Sequence, residues 1–435
     1  MTLSQEKINN MAACLPVVGL LLLVAALPFH YGCAQRFALY WLAVTYPLDY
    51  VLNHRWSHWH WTPAKWIYVA FIAFFCLVPV WQLFDPIRTP LFDFTIEQYA
   101  PFLAVGLCGI AGITDKFRIE SAAWTMLGVS TAIVICLIVR TGLHHPDFAH
   151  WVLCFNINRA EHINTHMVVN LYFNLSLILG IFVVIYGKHH IIVRIITALY
   201  MVPSIFALLI TEGRTGLLTF LLCTFVFLLH YMLVRRRWWM LSVVAAFVVL
   251  AGGIIMNNER LELIGKTTNP RIYIWKVAIE TIMEKPVLGY GVCSAREEFV
   301  RRGLADKEFN EHYADYVRTF PKYTAQGRVH FEIMHPHNAL LETWMQFGVF
   351  GVFLLVICLI LPSLMRLGKY QLFLDLCILA FVMQACFESL GNNLQPMYLC
   401  LMVLLFQNQY QSDVHLQKLK RQASEHPVAE ITPTA

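Results

Sequence analysis

An α-helix needs about 20 apolar residues to cross ~30 Å of hydrocarbon, and this chain contains one such run after another. Apolar runs between polar breaks predict about twelve spans. They lie near 11–29, 37–52, 65–84, 100–114, 121–143, 166–187, 190–210, 215–234, 238–256, 339–361, 372–389 and 395–410. Of the 435 residues, 58% are apolar or aromatic and only 14% charged, about half the usual quarter. A soluble domain could not cover its surface with that balance, so a soluble enzyme, a disordered chain and a fibrous protein are excluded. The expected fold class is an all-α polytopic membrane protein. The twelve cysteines fall mostly inside apolar runs, where Cys packs as a small hydrophobe. They show no C-x-x-C spacing, so neither a disulfide framework nor a metal site is expected. The net charge of +5 is too small and scattered to point to nucleic acid. MTLSQEKINN at the start lacks a basic n-region and an A-x-A site, so the first apolar run reads as a retained span.

Lys and Arg in short loops orient the spans. One set of alternate connections carries Arg55, Lys65, Lys116, Arg118, Lys188, Arg235 to Arg237, Arg366 and Lys369, and the tail adds Lys418, Lys420 and Arg421. The opposite connections carry little beyond Arg36, Arg88, Arg159 and Arg214. The basic set should be cytoplasmic, with both termini inside. The chain then divides into nine spans over 1–256, a large outer loop over 257–336, three spans over 337–411 and a polar, mobile tail over 412–435. A loop of about eighty residues far exceeds an ordinary helix–helix connection and is of the length that carries function. Within it, Arg271 to Glu284 has apolar residues at Ile272, Ile274, Trp275, Ala278, Ile279 and Ile282, the period of an amphipathic helix. Pro286 and the Gly289-Tyr290-Gly291 turn end that helix.

Polar groups at membrane depth are costly and default to functional candidates. Arg214, in TEGRTG between spans seven and eight, is a fork-shaped donor suited to phosphate oxygens. Gly213 and Gly216 beside it would let backbone approach a ligand. Arg271 stands at a helix start, where the dipole disfavours a cation unless an anion binds there too. HPHNALLETWMQFGVFG, 335–351, brings His335, His337, Asn338 and Glu342 to the point where the outer loop re-enters the membrane. A neutral His beside a carboxylate or amide is equipment for general base catalysis, and Glu342 is the expected partner of the imidazole. His144, His145, His150, His162 and His166 fit no single helical face or metal pattern. Glu388, Asn392 and Asn393 could line a cavity, as could Arg140 and Arg194. Paired glycosidase carboxylates, a P-loop and a G-x-G-x-x-G fingerprint are missing.

Three features occur in order: an Arg in a short outer loop, an Asn-Pro-Arg helix ending in Pro and Gly-x-Gly, and H-x-H-N-x-x-L-E-x-x-x-x-x-G-x-x-G entering a span. This series resembles the O-antigen ligase and polymerase superfamily of bacterial inner membranes, by motif over 205–360 and by topology over the whole chain. The resemblance implies a C-type glycosyltransferase architecture and an undecaprenyl-diphosphate-linked glycan donor. It implies His337 as the catalytic base and Arg214 and Arg271 as the essential arginines at the donor diphosphate; Asn338, Glu342 and His335, which converge on the same entry point, are the expected supporting residues. The family often has Ser before the first Arg; here Gly213 stands in its place. Direct displacement on the activated diphosphate would invert the anomeric carbon and need neither cofactor nor metal. A ligase, favoured here, would use lipid A–core as acceptor, and Arg296, Arg301, Arg302 and Arg318 could meet its phosphates. A polymerase would use a second lipid-linked repeat, and a protein O-oligosaccharyltransferase a Ser or Thr. The rival of another class is a secondary transporter, which should depend on Arg140, Asp49 and Asp375.

Overall fold

The computed structural model describes residues 4–29, 33–85, 91–112, 116–144, 166–187, 189–211, 214–256, 270–307, 335–388 and 395–425. Outside them lie Arg88, Arg159, Lys188, Arg318, Asn392, Asn393, His145, His150 and His162 from the sequence reading, the loop stretches 257–269 and 308–334, and the tail beyond 425.

Fourteen helices and no strand form the described residues. They are α1 (Gln5–Ala26), α2 (Cys33–Leu52), α3 (Lys65–Gln82), α4 (Leu91–Ala111), α5 (Ile119–His144), α6 (His166–Tyr186) and α7 (Ile191–Ile210). Then come α8 (Arg214–Arg235), α9 (Met240–Met256), α10 (Pro270–Glu284), α11 (Val292–Ala305), α12 (Ala339–Ser363), α13 (Gln371–Ala385) and α14 (Gln395–Glu425). Each predicted span is occupied by a helix, and seven are long and apolar enough to cross a membrane. The chain is a polytopic membrane protein. Its surface says the same: α7 and α9 leave Leu199, Val202, Val249 and Leu250 more than half exposed, a pattern that only a lipid solvent makes favourable.

The centre of the bundle is α6 with the first half of α14, where Met397 to Phe406 are all buried. Polar knots tie helices together within the apolar mass. Ser176 on α6 lies 3.4 Å from Ser130 of α5 and 3.3 Å from Ser204 of α7, the interhelical contacts by which helices associate in lipid. The last helix does not stop at Ser412: it runs to Glu425, and Tyr370 donates to Asp413, which Lys369 approaches at 3.4 Å. The expectation of a mobile tail from 412 is corrected at its start, where these two partners hold Asp413 and the helix continues to Glu425.

The large loop folds back onto the bundle. α10 buries Ile274, Val277, Ala278 and Ile282 against Phe299 of α11 and Met345 of α12. Ile272 and Ile279, also expected on that face, remain half exposed. The turn after α10 enters a break in α12. Gly348 there has φ +62° and ψ −156°, so the carbonyls before it lose their helical partners. The loop supplies them: Tyr290 N donates to Met345 O at 2.8 Å and Gly291 N to Gln346 O at 2.9 Å. Val349 N returns a bond to Pro286 O at 3.1 Å, and Trp344 and Trp81 donate to Pro286 O and Leu288 O. A Cβ on Gly348 would stand 2.0 Å from Val287 O, so glycine is required for the approach as well as for the angle.

Candidate functional site

The HPHN segment is held at one end of the bundle by three fastenings. Asn338 caps α12, its Oδ1 accepting from Leu340 N and Leu341 N at 3.0 Å each, the geometry an N-cap needs. Its Nδ2 donates to Cys386 O at 3.1 Å, joining α12 to the end of α13. Trp275 on α10 donates to Pro336 O at 3.0 Å. Between these ties His337 takes φ +48°, a conformation rare for a residue with a Cβ and one that concentrates at functional sites.

The turn directs two imidazoles at one carboxylate. The His335 and His337 rings meet with centroids 4.0 Å apart and their planes tilted by 59°. Glu388, just past α13 and 4% exposed, places Oε1 3.5 Å from His337 Nδ1 and 4.0 Å from His335 Nε2. His337 Nδ1 is buried and makes no full hydrogen bond, an arrangement that tightens when a substrate closes a site. His335 Nδ1 accepts from His337 N at 3.3 Å, which makes its Nε2 the protonated nitrogen. Burial, reinforced by His337, pushes the His335 imidazole down to about 3, so it stays neutral.

The carboxylate at the imidazole is therefore that of Glu388 and not, as expected, that of Glu342. Glu342 lies one helical turn inside α12, 8% exposed, and accepts from Gln346 Nε2 at 3.4 Å; Gln346 in turn accepts from Tyr99. Sequence spacing favoured Glu342 because it lies close in the chain, whereas Glu388 arrives from a different span.

Arg271, the second residue of α10, stacks over the Phe387 ring at 5.4 Å, next to Glu388 in the chain. His337 and Arg271 thus meet through the single dipeptide 387–388. Arg214 is the first residue of α8; its side chain lies outside the described residues. Both arginines stand at helix N-termini, where backbone N–H groups and the dipole favour an anion. The start of α8 is fixed by two asparagines that the sequence reading overlooked. Asn170 on α6 accepts from Thr211 Oγ1 at 3.2 Å, and Asn174 Nδ2 donates to Gly216 O at 3.1 Å. A Cβ on Gly216 would stand 2.5 Å from Asn170, so Gly216 serves helix packing and not, as expected, backbone approach to a ligand. The signal was present in the sequence as two asparagines four apart in an apolar span. Deeper along α8, Phe220, Cys223 and Phe227 line a narrow apolar crevice of about 20 Å³ with Ile178 and Leu376.

His335, His337 and Glu388 also present ligand atoms within 4.8 Å of one another, close enough for a metal ion to bridge. The donor set fits the carboxylate better than a cation. The bond to His335 Nδ1 leaves an N–H on its Nε2, so that ring offers Glu388 a proton and a metal no lone pair.

Residues 199–356 match the family model described as O-antigen ligase. That stretch, about a third of the chain, is similar to O-antigen ligases. Over 101 residues it is 27% identical to a protein of Rickettsia conorii provisionally named a polysaccharide ligase, covering 23% of this chain and 20% of that protein. A Rickettsia typhi protein of the same provisional name is 24% identical over 102 residues, 23% of this chain and 21% of its own. The chain thus spans about a fifth of the length of the curated relatives it matches. The matched O-antigen ligase stretch contains Arg214, Arg271, His335, His337, Asn338 and Glu342, and Glu388 lies beyond it.

Proposed function

We propose that this protein is an O-antigen ligase of the bacterial inner membrane. It transfers a glycan from undecaprenyl diphosphate to a sugar hydroxyl of lipid A–core at the periplasmic face, with both termini cytoplasmic. The observation that carries the reading is His337, held in a left-handed turn against the buried Glu388 and beside Arg271. When the 3.5 Å gap closes around substrate, Glu388 holds the proton on Nδ1 and so leaves the Nε2 lone pair to the acceptor hydroxyl, the orienting role a carboxylate plays toward a catalytic imidazole. His337 takes the hydroxyl proton as the oxygen attacks the anomeric carbon. The carbon–oxygen bond to the diphosphate breaks, and Arg271 and Arg214 meet the charge that builds on the leaving group, where a partly dehydrated site makes such contacts strong. Displacement from the opposite side inverts the anomeric centre, and no metal or other cofactor takes part.

The transporter alternative loses support from two of its expected residues. Asp49 is paired with Arg55 at 2.8 Å, and Asp375 accepts from Gln371 at 2.9 Å, so both are satisfied within the protein.

The test is a lipopolysaccharide gel profile of a strain lacking this protein, complemented with wild type or His337→Ala. Bare lipid A–core with full-length polymer left on the carrier, restored by wild type alone, is the expected result. Lipid A–core bearing a single repeat would make the protein a polymerase, and an unchanged profile would refute glycan transfer in this pathway.

A further inference from the structure

The loop arginines offered as contacts to an anionic acceptor part company in the structure. Arg301 and Arg302, both on α11, are neutralised by Glu298 at 2.6 Å, and Arg302 also by Glu284. Arg296, on the same helix and half buried, has a buried Nε without a hydrogen-bond partner. No carboxylate reaches it within ion-pair distance among the described residues. Burial pushes its guanidinium down from the usual arginine value, against an opposing pull from Glu342, and its charge is felt at His335. Arg296 therefore stands within electrostatic reach of HPHN and the first turn of α12.

Its placement is enforced from outside the loop. Asp85, 5% exposed just after α3, accepts from Cys293 N at 3.0 Å, Ser294 N at 3.2 Å and Ser294 Oγ. One carboxylate thus caps α11 and fixes its first turn, from which Arg296 follows two residues on. A guanidinium held half out of water with an unmet N–H lacks the acceptor that would offset its desolvation. A planar five-donor fork is matched by phosphate oxygens.

We infer that Arg296 is a third cation of this site and binds a phosphate-type oxyanion of the substrate. The donor's diphosphate and a phosphate on the acceptor present the same chemistry, and only the assignment to one of them rests on the glycan-transfer reading. The test uses the full-length protein in lipid nanodiscs with inorganic pyrophosphate as probe, read by calorimetry and by the shift in melting temperature. Wild type should bind, Arg296→Gln should bind at least 10-fold more weakly, Arg296→Lys should fall between them, and Arg301→Gln should match wild type. Transfer kinetics separate the sources: a raised KM for the lipid-linked donor marks the diphosphate, and a raised KM only for phosphorylated acceptor marks the other. Equal pyrophosphate affinity in wild type and Arg296→Gln, or no binding by wild type, overturns the inference. Arg296-dependent binding in a protein without transfer activity would uphold it while refuting the transfer reading.

Discussion

Replacing Asp85 by Ala tests the claim that a residue just after α3 fixes the loop helix. The substitution removes one acceptor carboxylate and leaves Cys293 N, Ser294 N and Ser294 Oγ without it. Loss of an N-cap costs ~0.5–2 kcal/mol, and buried groups left unpaired add ~1–3 kcal/mol each unless water reaches them. A helix end near the bundle surface admits some water, so a total of about 2–4 kcal/mol for local opening of α11 is the working figure. At ~1.4 kcal/mol per factor of ten, amide protection over 295–303 should fall roughly 30- to 700-fold. Hydrogen exchange read by mass spectrometry measures this, with α6 as the internal reference because it lies at the bundle centre. Asp85→Asn keeps one acceptor and should lose about half as much. Unchanged protection in α11 would refute the capping argument. An equal loss in α6 would show that the effect is global and not local to the loop.

Glu388→Gln should lower the turnover rate ~10- to 100-fold with little change in donor KM, the size of effect seen when the group orienting a catalytic or ligating His is lost; steady-state transfer assays measure it, and an unaltered turnover rate would remove Glu388 from the mechanism. Dialysis against a chelator should leave transfer intact, and loss of activity restored by a divalent cation would make His335, His337 and Glu388 a metal site. Gly348→Val should destabilise the fold by more than ~3 kcal/mol or expel the 286–291 turn from α12, since both the positive φ and the contact with Val287 forbid a Cβ; protease cleavage at that turn reports it. His335 has an ordinary value near 6.5 and is lowered to about 3 in the fold. The stability it contributes is thus fully present above about 6.5 and is lost as pH falls toward 3, at up to ~1.4 kcal/mol per pH unit. An acid-unfolding series should therefore be less steep in His335→Gln than in wild type, and equal slopes would refute the assignment.

What the sequence determined by itself is the set of elements with a local cause. Twenty-residue apolar runs can only be helices in lipid, because the backbone must satisfy its own hydrogen bonds there. The 3.6-residue pattern after Asn269-Pro270 had to be an amphipathic helix, and the order of Arg214, Arg271 and His337 carried the resemblance to O-antigen ligases. The capping role of Asn338 is equally local, since it depends on residues two and three positions on. The tertiary structure alone decided which distant groups meet. Glu388 displaced Glu342 at the imidazole because α12 and α13 end side by side, joined by Asn338. Asp85 caps a helix more than two hundred residues away, and Gly348 breaks α12 because the turn at Val287 passes through it. Arg296 differs from Arg301 and Arg302 by the carboxylates within reach, which a row of charges in one dimension does not show. Periodicity records which face a residue occupies; the partner on that face is set by packing, and here the partners make the site.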